Sequence, residues 1–393
     1  MPNLSGSASM NYNFGSYLGQ NGNRISLDSR GNNFGLNTGV IVFNGFRNTL
    51  LYKQSKLGLE NSQIQLDILK DNISLNVVNA YLNILLNKEN LKLAEEQVNI
   101  SQAQVDQINE LVEAGVRPRK DLLDADAQLA SDNERLVNAQ NSVDLSLLSL
   151  AQLLQISKDG FDVEDILIEL ANANLEGNSP NDIFNYAVGN RPEIKSAELN
   201  IKNSEYNVEI AKSSYYPTLS FGAGASTSYQ HTQGQDDVIP LVDNQGNVTL
   251  IRNNFWDQLD NNLGYNFGFN LSVPIFNRFQ TKSSVSKAKI NKERIELALE
   301  QEKQTLRTNI EQAYADAKAT LNQYLSSQAS VQAQEEAFNN AQDSYNLGVM
   351  TSFDFEQVRN RLINAQSSLI NAKYNFVFKT KVLDFYLGKP LTE

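Results

Sequence analysis

The stretch Val42-Phe43-Asn44-Gly45-Phe46 returns 233 residues later as Ile275-Phe276-Asn277-Arg278-Phe279. The same offset carries Ala80-Tyr81 onto Ala313-Tyr314, Gly115-Val116 onto Gly348-Val349, and Asp121 onto Asp354. It also carries Leu129 onto Leu362, Asn138-Ala139 onto Asn371-Ala372, and Leu154 onto Leu387. Residues 43–154 and 276–387 thus align without a gap, and a fixed internal period of this kind means a tandem repeat. Pro2-Asn3-Leu4-Ser5 pairs with Pro217-Thr218-Leu219-Ser220 at the shorter offset of 215. The difference places an insertion in the second repeat, within the polar run from His231 to Asp260.

On the N-terminal side of each motif copy the apolar residues alternate. Tyr265, Phe267, Phe269, Leu271 and Val273 interleave with Gly264, Asn266, Gly268, Asn270 and Ser272. Leu219, Phe221, Ala223, Ala225 and Tyr229 share one face of the preceding segment, and Leu4 to Phe14 and Phe34 to Phe43 repeat the pattern. A period of two with one apolar face marks strands lying between two environments. A soluble sandwich and a membrane barrel both satisfy it. The aromatic outer face and the Gly/Asn/Ser inner face favour the barrel. Four strands cannot close a barrel, because small closed barrels need about eight. The strands must pair with other chains or form a small open sheet.

On the C-terminal side the period changes to three and four. Residues 47–114 lack proline, and a continuous helix there would run roughly 100 Å at about 1.5 Å per residue. Leu91, Ala94, Val98, Ser101, Val105, Ile108 and Val112 form a seam with one polar lapse, and Ile310, Tyr314, Ala317, Leu321 and Tyr324 form its counterpart. Such seams want a coiled-coil partner. Gly115 and Gly348 supply helix stops, and Pro118 suits the first turn of a returning helix. The division that follows is a first repeat over 1–154, with strands 3–17 and 33–43 and a helical hairpin over 47–154. A linker occupies 155–192. A second repeat over 193–387 has a helix at 193–214, strands at 218–230 and 263–276, and a hairpin over 280–386. The fold class is α+β, long antiparallel helical hairpins with four strands per chain.

The bulk numbers exclude several functions. A net charge of −12 argues against nucleic acid, whose phosphates reward a basic patch. No stretch approaches 18 consecutive apolar residues, so a helical membrane span is excluded and a β-type span is not. The chain has no cysteine and one histidine, His231, with no Gly-x-Ser-x-Gly elbow, P-loop or dinucleotide loop. No enzyme, cofactor or metal is expected. The start Met1-Pro2-Asn3-Leu4-Ser5 lacks a basic, then apolar, leader. A signal peptide and one short helix are expected upstream of it in a longer reading frame.

The order of these parts resembles the TolC-type outer-membrane efflux family. The residues that carry the likeness are Asn190-Arg191-Pro192-Glu193-Ile194, Tyr216-Pro217 before a strand, Val273-Pro274-Ile275-Phe276 at a strand-to-helix passage, and the two Gly-Val tips. The resemblance implies a homotrimer whose strands form a twelve-stranded β-barrel in the outer membrane, with Tyr265, Phe267, Phe269 and Leu271 facing lipid. It implies helices forming a tapering α-barrel across the periplasm, as a passive exit duct for efflux or secretion. It implies partners, a periplasmic adaptor and an inner-membrane pump, with docking at Gly115, Val116, Arg117, Arg119, Gly348 and Val349. The family's gate falls on Asp354 with Tyr345 upstream. This chain departs from that pattern at Gln357, where a second acid is usual, and at Met350, where a basic residue is usual. In the first repeat Asp121 and Asp124 form an i, i+3 pair on one helix face. By threefold symmetry each would make a ring of carboxylates. Helix capping is the competing reading for Asp121 and Asp354. A coiled-coil adaptor or scaffold with β-caps is the competing reading for the whole chain.

Overall fold

The computed structural model describes residues 2–18, 20–26, 28–166, 179–242 and 245–391. In chain order the elements are β1 (Asn3–Asn13), β2 (Ser16–Leu18), β3 (Arg24–Ser26), β4 (Ser29–Asn44), α1 (Arg47–Glu113), α2 (Arg119–Leu154), α3 (Pro180–Asn190) and α4 (Pro192–Ser213). They continue with β5 (Thr218–Thr232), β6 (Val238–Val242), β7 (Val248–Arg252), α5 (Phe255–Asn261), β8 (Gly264–Ser272), α6 (Gln280–Asn346) and α7 (Ser352–Tyr386). Helices α1 and α6 are both 67 residues long, and their first residues stand 233 apart. The repeat is thus a repeat of structure. By contacts the chain forms two compact units that each draw on both repeats, Met1–Gly58 with Ile201–Arg294 and Leu59–Asn200 with Ile295–Glu393.

The first unit holds an antiparallel sheet in the order β1-β4-β5-β8. Its register sets Leu219 opposite Leu271, Phe221 opposite Phe269, Ala223 opposite Phe267, and Ala225 opposite Tyr265. Directly paired residues share a face, so the alternation expected from the sequence produces one continuous apolar face. Tyr265, Phe267, Phe269 and Leu271 are 78%, 81%, 70% and 62% exposed in the single chain, and a large exposed apolar patch of this kind marks a contact surface. The opposite face is small and polar. Gly224 sits there between Asn37 and Asn266, whose side-chain oxygens a Cβ would meet at 2.7 and 2.9 Å. Strand one ends at Asn13, and a separate ribbon of β2 and β3 follows it. The insertion of the second repeat is a β6–β7 hairpin followed by α5, which Asn254 and Asp257 start with a reciprocal capping box.

The second unit is helical. α1 and α2 return on each other at Gly115, and α6 and α7 at Gly348, with φ of +73° at both. Val116 N–H donates to Leu111 C=O at 2.8 Å and Gly115 N–H to Val112 C=O at 3.0 Å. Val349 and Gly348 repeat the pattern on Ser344 and Tyr345, so both tips are Schellman stops. The Arg-Pro-Glu stretch has a structural role here. Arg191 is buried, forked on Glu193 at 2.6 and 3.0 Å, paired with Asp71 at 3.2 Å, and stacked 4.0 Å over the Phe385 ring. Pro192 then opens α4 with its φ already helical. Helix α3 lies inside the stretch that the sequence marks only as a linker, because Ser179 and Asp182 close a capping box and Pro180 follows the cap.

Candidate functional site

The hairpin tips converge on a cleft of about 630 Å³ lined by Arg117, Asp121, Asp124, Gly348, Val349 and Glu356, among others. A small aromatic core supports it. Tyr345 stacks on Phe355 with ring centres 4.8 Å apart, Phe338 lies 5.6 Å from Phe355, and Ile108, Ala125 and Ala341 close the cluster.

Arg117 ties the two tips together. Its Nη1 donates to Asp121 Oδ2 at 3.3 Å, its Nη2 donates to the backbone oxygen of Tyr345 at 3.1 Å, and its guanidinium carbon lies 4.6 Å over the Tyr345 ring. The side chains of Arg117 and Asp121 are only 18% and 19% exposed, so water screens this pair less than a surface pair. The carbonyl it reaches belongs to the last turn of α6, where the helix dipole favours a cation. Arg117 thus reaches the second tip from the first repeat.

The remaining expected residues separate by environment. Asp124 is exposed and meets Lys120 at 2.5 Å on its own helix. Asp354 is exposed and accepts from Thr351 Oγ1 at 2.7 Å, while its N–H donates to that same oxygen at 3.1 Å, so it helps cap α7. Gln357 is exposed, and Arg119 is exposed at the start of α2. Val116, Leu347, Val349 and Phe353 stand 71%, 80%, 78% and 71% open to solvent around the two turns. Asp121 and Asp124 both line this cleft; Asp121 is held by Arg117 of its own hairpin, and Asp124 by Lys120.

A cluster that the sequence does not announce lies deeper in the same bundle. Arg359, 1% exposed, donates from Nη2 to Asp132 Oδ2 and to Ser101 Oγ, both at 2.6 Å, and to Gln97 C=O at 3.1 Å. Ser101 in turn donates to Asp132. Gln128 donates to the other Asp132 oxygen at 3.1 Å. Glu356 approaches Arg359 at 3.4 Å, and burial pushes its carboxyl above the ordinary range against the opposing pull of Arg359. The only sequence signal is Ser101, the polar lapse in the seam of α1.

The family model described as outer membrane efflux protein matches residues 1–154 and 184–389. The outer membrane protein TolC of Escherichia coli (strain K12) is 24% identical over 351 residues, covering 86% of this chain and 65% of that protein. The outer membrane efflux protein BepC of Brucella suis biovar 1 (strain 1330) is 22% identical over 361 residues, covering 89% and 70%. The chain thus spans about two thirds of the length of these relatives. Among solved structures, CusC superposes with a TM-score of 0.77 at 17% identity, covering 99% of this chain and 84% of that one. The outer membrane channel CmeC of Campylobacter jejuni superposes with a TM-score of 0.67 at 20% identity, covering 99% and 78%. These superpositions establish a shared fold.

Proposed function

Since the chain belongs to the outer membrane efflux protein family, we propose that it is one protomer of a trimeric outer-membrane exit duct whose periplasmic end is shut by its hairpin tips. The observation that carries this reading is the apolar row of Tyr265, Phe267, Phe269 and Leu271, which none of the described elements covers. A scaffold protein would bury that face in itself. Strands β1 and β8 are the sheet edges, and open edges invite pairing with further copies. Three chains then supply twelve strands, enough to leave a passage. Water in the lumen would wet the Gly/Asn/Ser face.

In this reading Arg117 is the latch. Asp121 of its own hairpin steadies it while it reaches the end of α6 on the other, and opening requires it to release Tyr345. Asp121 and Asp124 of three chains would ring the narrow end and favour cations. The exposed Val116, Leu347, Val349 and Phe353 offer a periplasmic adaptor an apolar grip at the tips, with an inner-membrane pump behind it. The duct itself is passive and needs no bond chemistry.

The test is to express the chain with an added export leader, fractionate the membranes, and record conductance in planar bilayers. A heat-sensitive trimer in the outer-membrane fraction supports the duct. Arg117→Ala and Asp121→Ala should then raise the conductance of the resting channel several-fold. A monomer or dimer that stays soluble without detergent would sink the proposal.

A further inference from the structure

The second-repeat insertion places a short helix on the apolar face of the sheet. Cross-strand register puts Tyr265, Ala225 and Leu36 in one row of that face, and Thr227 with Phe34 in the next row outward. Helix α5 sits on this next row and the one beyond it. Thr227 Oγ1 donates to Leu259 C=O at 2.5 Å, and the Phe255 ring packs 4.9 Å from Tyr229 and 6.5 Å from Phe34. Along the strand, Leu219 to Thr227 spans about 27 Å at ~3.4 Å per residue. Tilted by ~40°, as strands of membrane barrels are, that becomes about 20 Å of height, close to the ~25 Å of an outward apolar band. α5 therefore begins where the band ends.

The side of α5 turned away from the sheet has a mixed character. Trp256 is 75% exposed, and the neighbouring Asp257 and Asp260 are exposed beside it. Two carboxylates keep this surface out of hydrocarbon. An indole beside them suits the headgroup level, where an apolar ring with one polar N–H is most at home. We infer that α5 is an interfacial collar: Trp256 sits at the headgroups of the outer leaflet and sets the outer limit to which the barrel sinks into the bilayer. The inference rests on the membrane reading of the sheet, and its occupant is lipid, because the surface continues the lipid-facing band of Tyr265 and Phe267.

Trp256 is the only tryptophan in the chain, so its emission reports this one place. The experiment reconstitutes the whole chain in vesicles of phosphatidylethanolamine and phosphatidylglycerol that carry a nitroxide lipid. The label sits either at the top of the acyl chain or at its middle. A second protein, Trp256→Phe with Phe267→Trp, moves the reporter to the centre of the band. The expected result is loss of Trp256 emission with the shallow label and little loss with the mid-chain label, and the reverse order for the reporter at 267. Full quenching of Trp256 by aqueous iodide, with no effect of either label, overturns the collar while quenching at 267 upholds the barrel. Stronger quenching of Trp256 by the mid-chain label also overturns it. If neither reporter feels either label, the barrel reading fails and the collar fails with it.

Discussion

Arg359 Nη2 lies 2.6 Å from Asp132 Oδ2, and both side chains are closed off from solvent although they stand 227 residues apart in the chain. Removing two charges from water costs several kcal/mol each, and only good geometry with further hydrogen bonds repays it. This pair has those bonds. Ser101, Gln97 and Gln128 occupy most of the remaining donor and acceptor positions, so one cation from the second repeat clasps both helices of the first hairpin.

Replacing Arg359 by Met leaves Asp132 buried without its partner. That should lower stability by about 3–5 kcal/mol. The double variant Arg359→Met with Asp132→Leu should recover most of the loss, because no charge is then stranded. Denaturant unfolding of the detergent-solubilised protein, followed by helical circular dichroism, completes the double-mutant cycle. Equal losses in the single and double variants would mean that Arg359 acts by packing and not through its charge.

Glu356 gives this cluster a pH dependence of known sign. Burial raises its carboxyl pKa in the folded state, so folding binds its proton more tightly than the unfolded chain does. The stability linked to this group is therefore fully present below the unfolded carboxyl pKa and is lost as pH rises through the folded value. At neutral pH Glu356→Gln should be as stable as the parent or slightly more stable. The two should converge as acid protonates the native carboxyl. Melting temperatures across pH 4 to 8, roughly the span in which a raised carboxyl titrates, check this. A variant that melts lower at neutral pH would show that the contact with Arg359 outweighs the burial.

At the tips, two acids one repeat apart should behave differently. Asp354 and Thr351 close the start of α7, so Thr351→Ala and Asp354→Ala should each cost about 1 kcal/mol, the usual loss of a cap. Hydrogen exchange should quicken in both at the first turn of α7. Asp121 instead faces Arg117, and Asp121→Ala should leave exchange at the start of α7 unchanged while loosening the resting channel. Conductance recorded on the same three variants separates a cap from a latch. A rise for Asp354→Ala with none for Asp121→Ala would reverse the assignment.

Much of this could be read from the sequence because long helices and alternating strands write their periods into it. Helix α6 begins 233 residues after α1 and matches it in length because every turn of one hairpin has a counterpart in the other. The aromatic strand face was equally plain in Tyr265, Phe267 and Phe269. The Arg359 cluster was hidden for a physical reason. A charged residue on a long helix normally faces water, and only tertiary placement brings Asp132, Arg359 and Ser101 together. The insertion was hidden differently. The short strands 238–242 and 248–252 flank a turn that includes Gly246, at φ +83°, but polar neighbours on both sides hid so short a hairpin.

The repeat also exposes a difference between its two copies of the strand-to-helix turn. Gly45 and Phe46 adopt left-handed backbone at φ of +63° and +65°, and their counterparts Arg278 and Phe279 do so at +55° and +60°. The first copy must have glycine, because a Cβ at position 45 would lie 2.6 Å from the Ser213 carbonyl oxygen and 2.8 Å from Tyr216 Cβ. The second copy is exposed at Arg278 and tolerates a side chain, at the cost of holding it in a strained conformation. Arg278→Gly should therefore stabilise the protein by about 1 kcal/mol, the left-handed penalty it removes. Gly45→Ala should cost clearly more than Gly115→Ala, which meets only the backbone strain of about 1–2 kcal/mol because nothing lies within 4 Å of its added methyl. Thermal unfolding of the three variants under one detergent condition ranks them. Equal losses at positions 45 and 115 would mean that Ser213 and Tyr216 give way without cost.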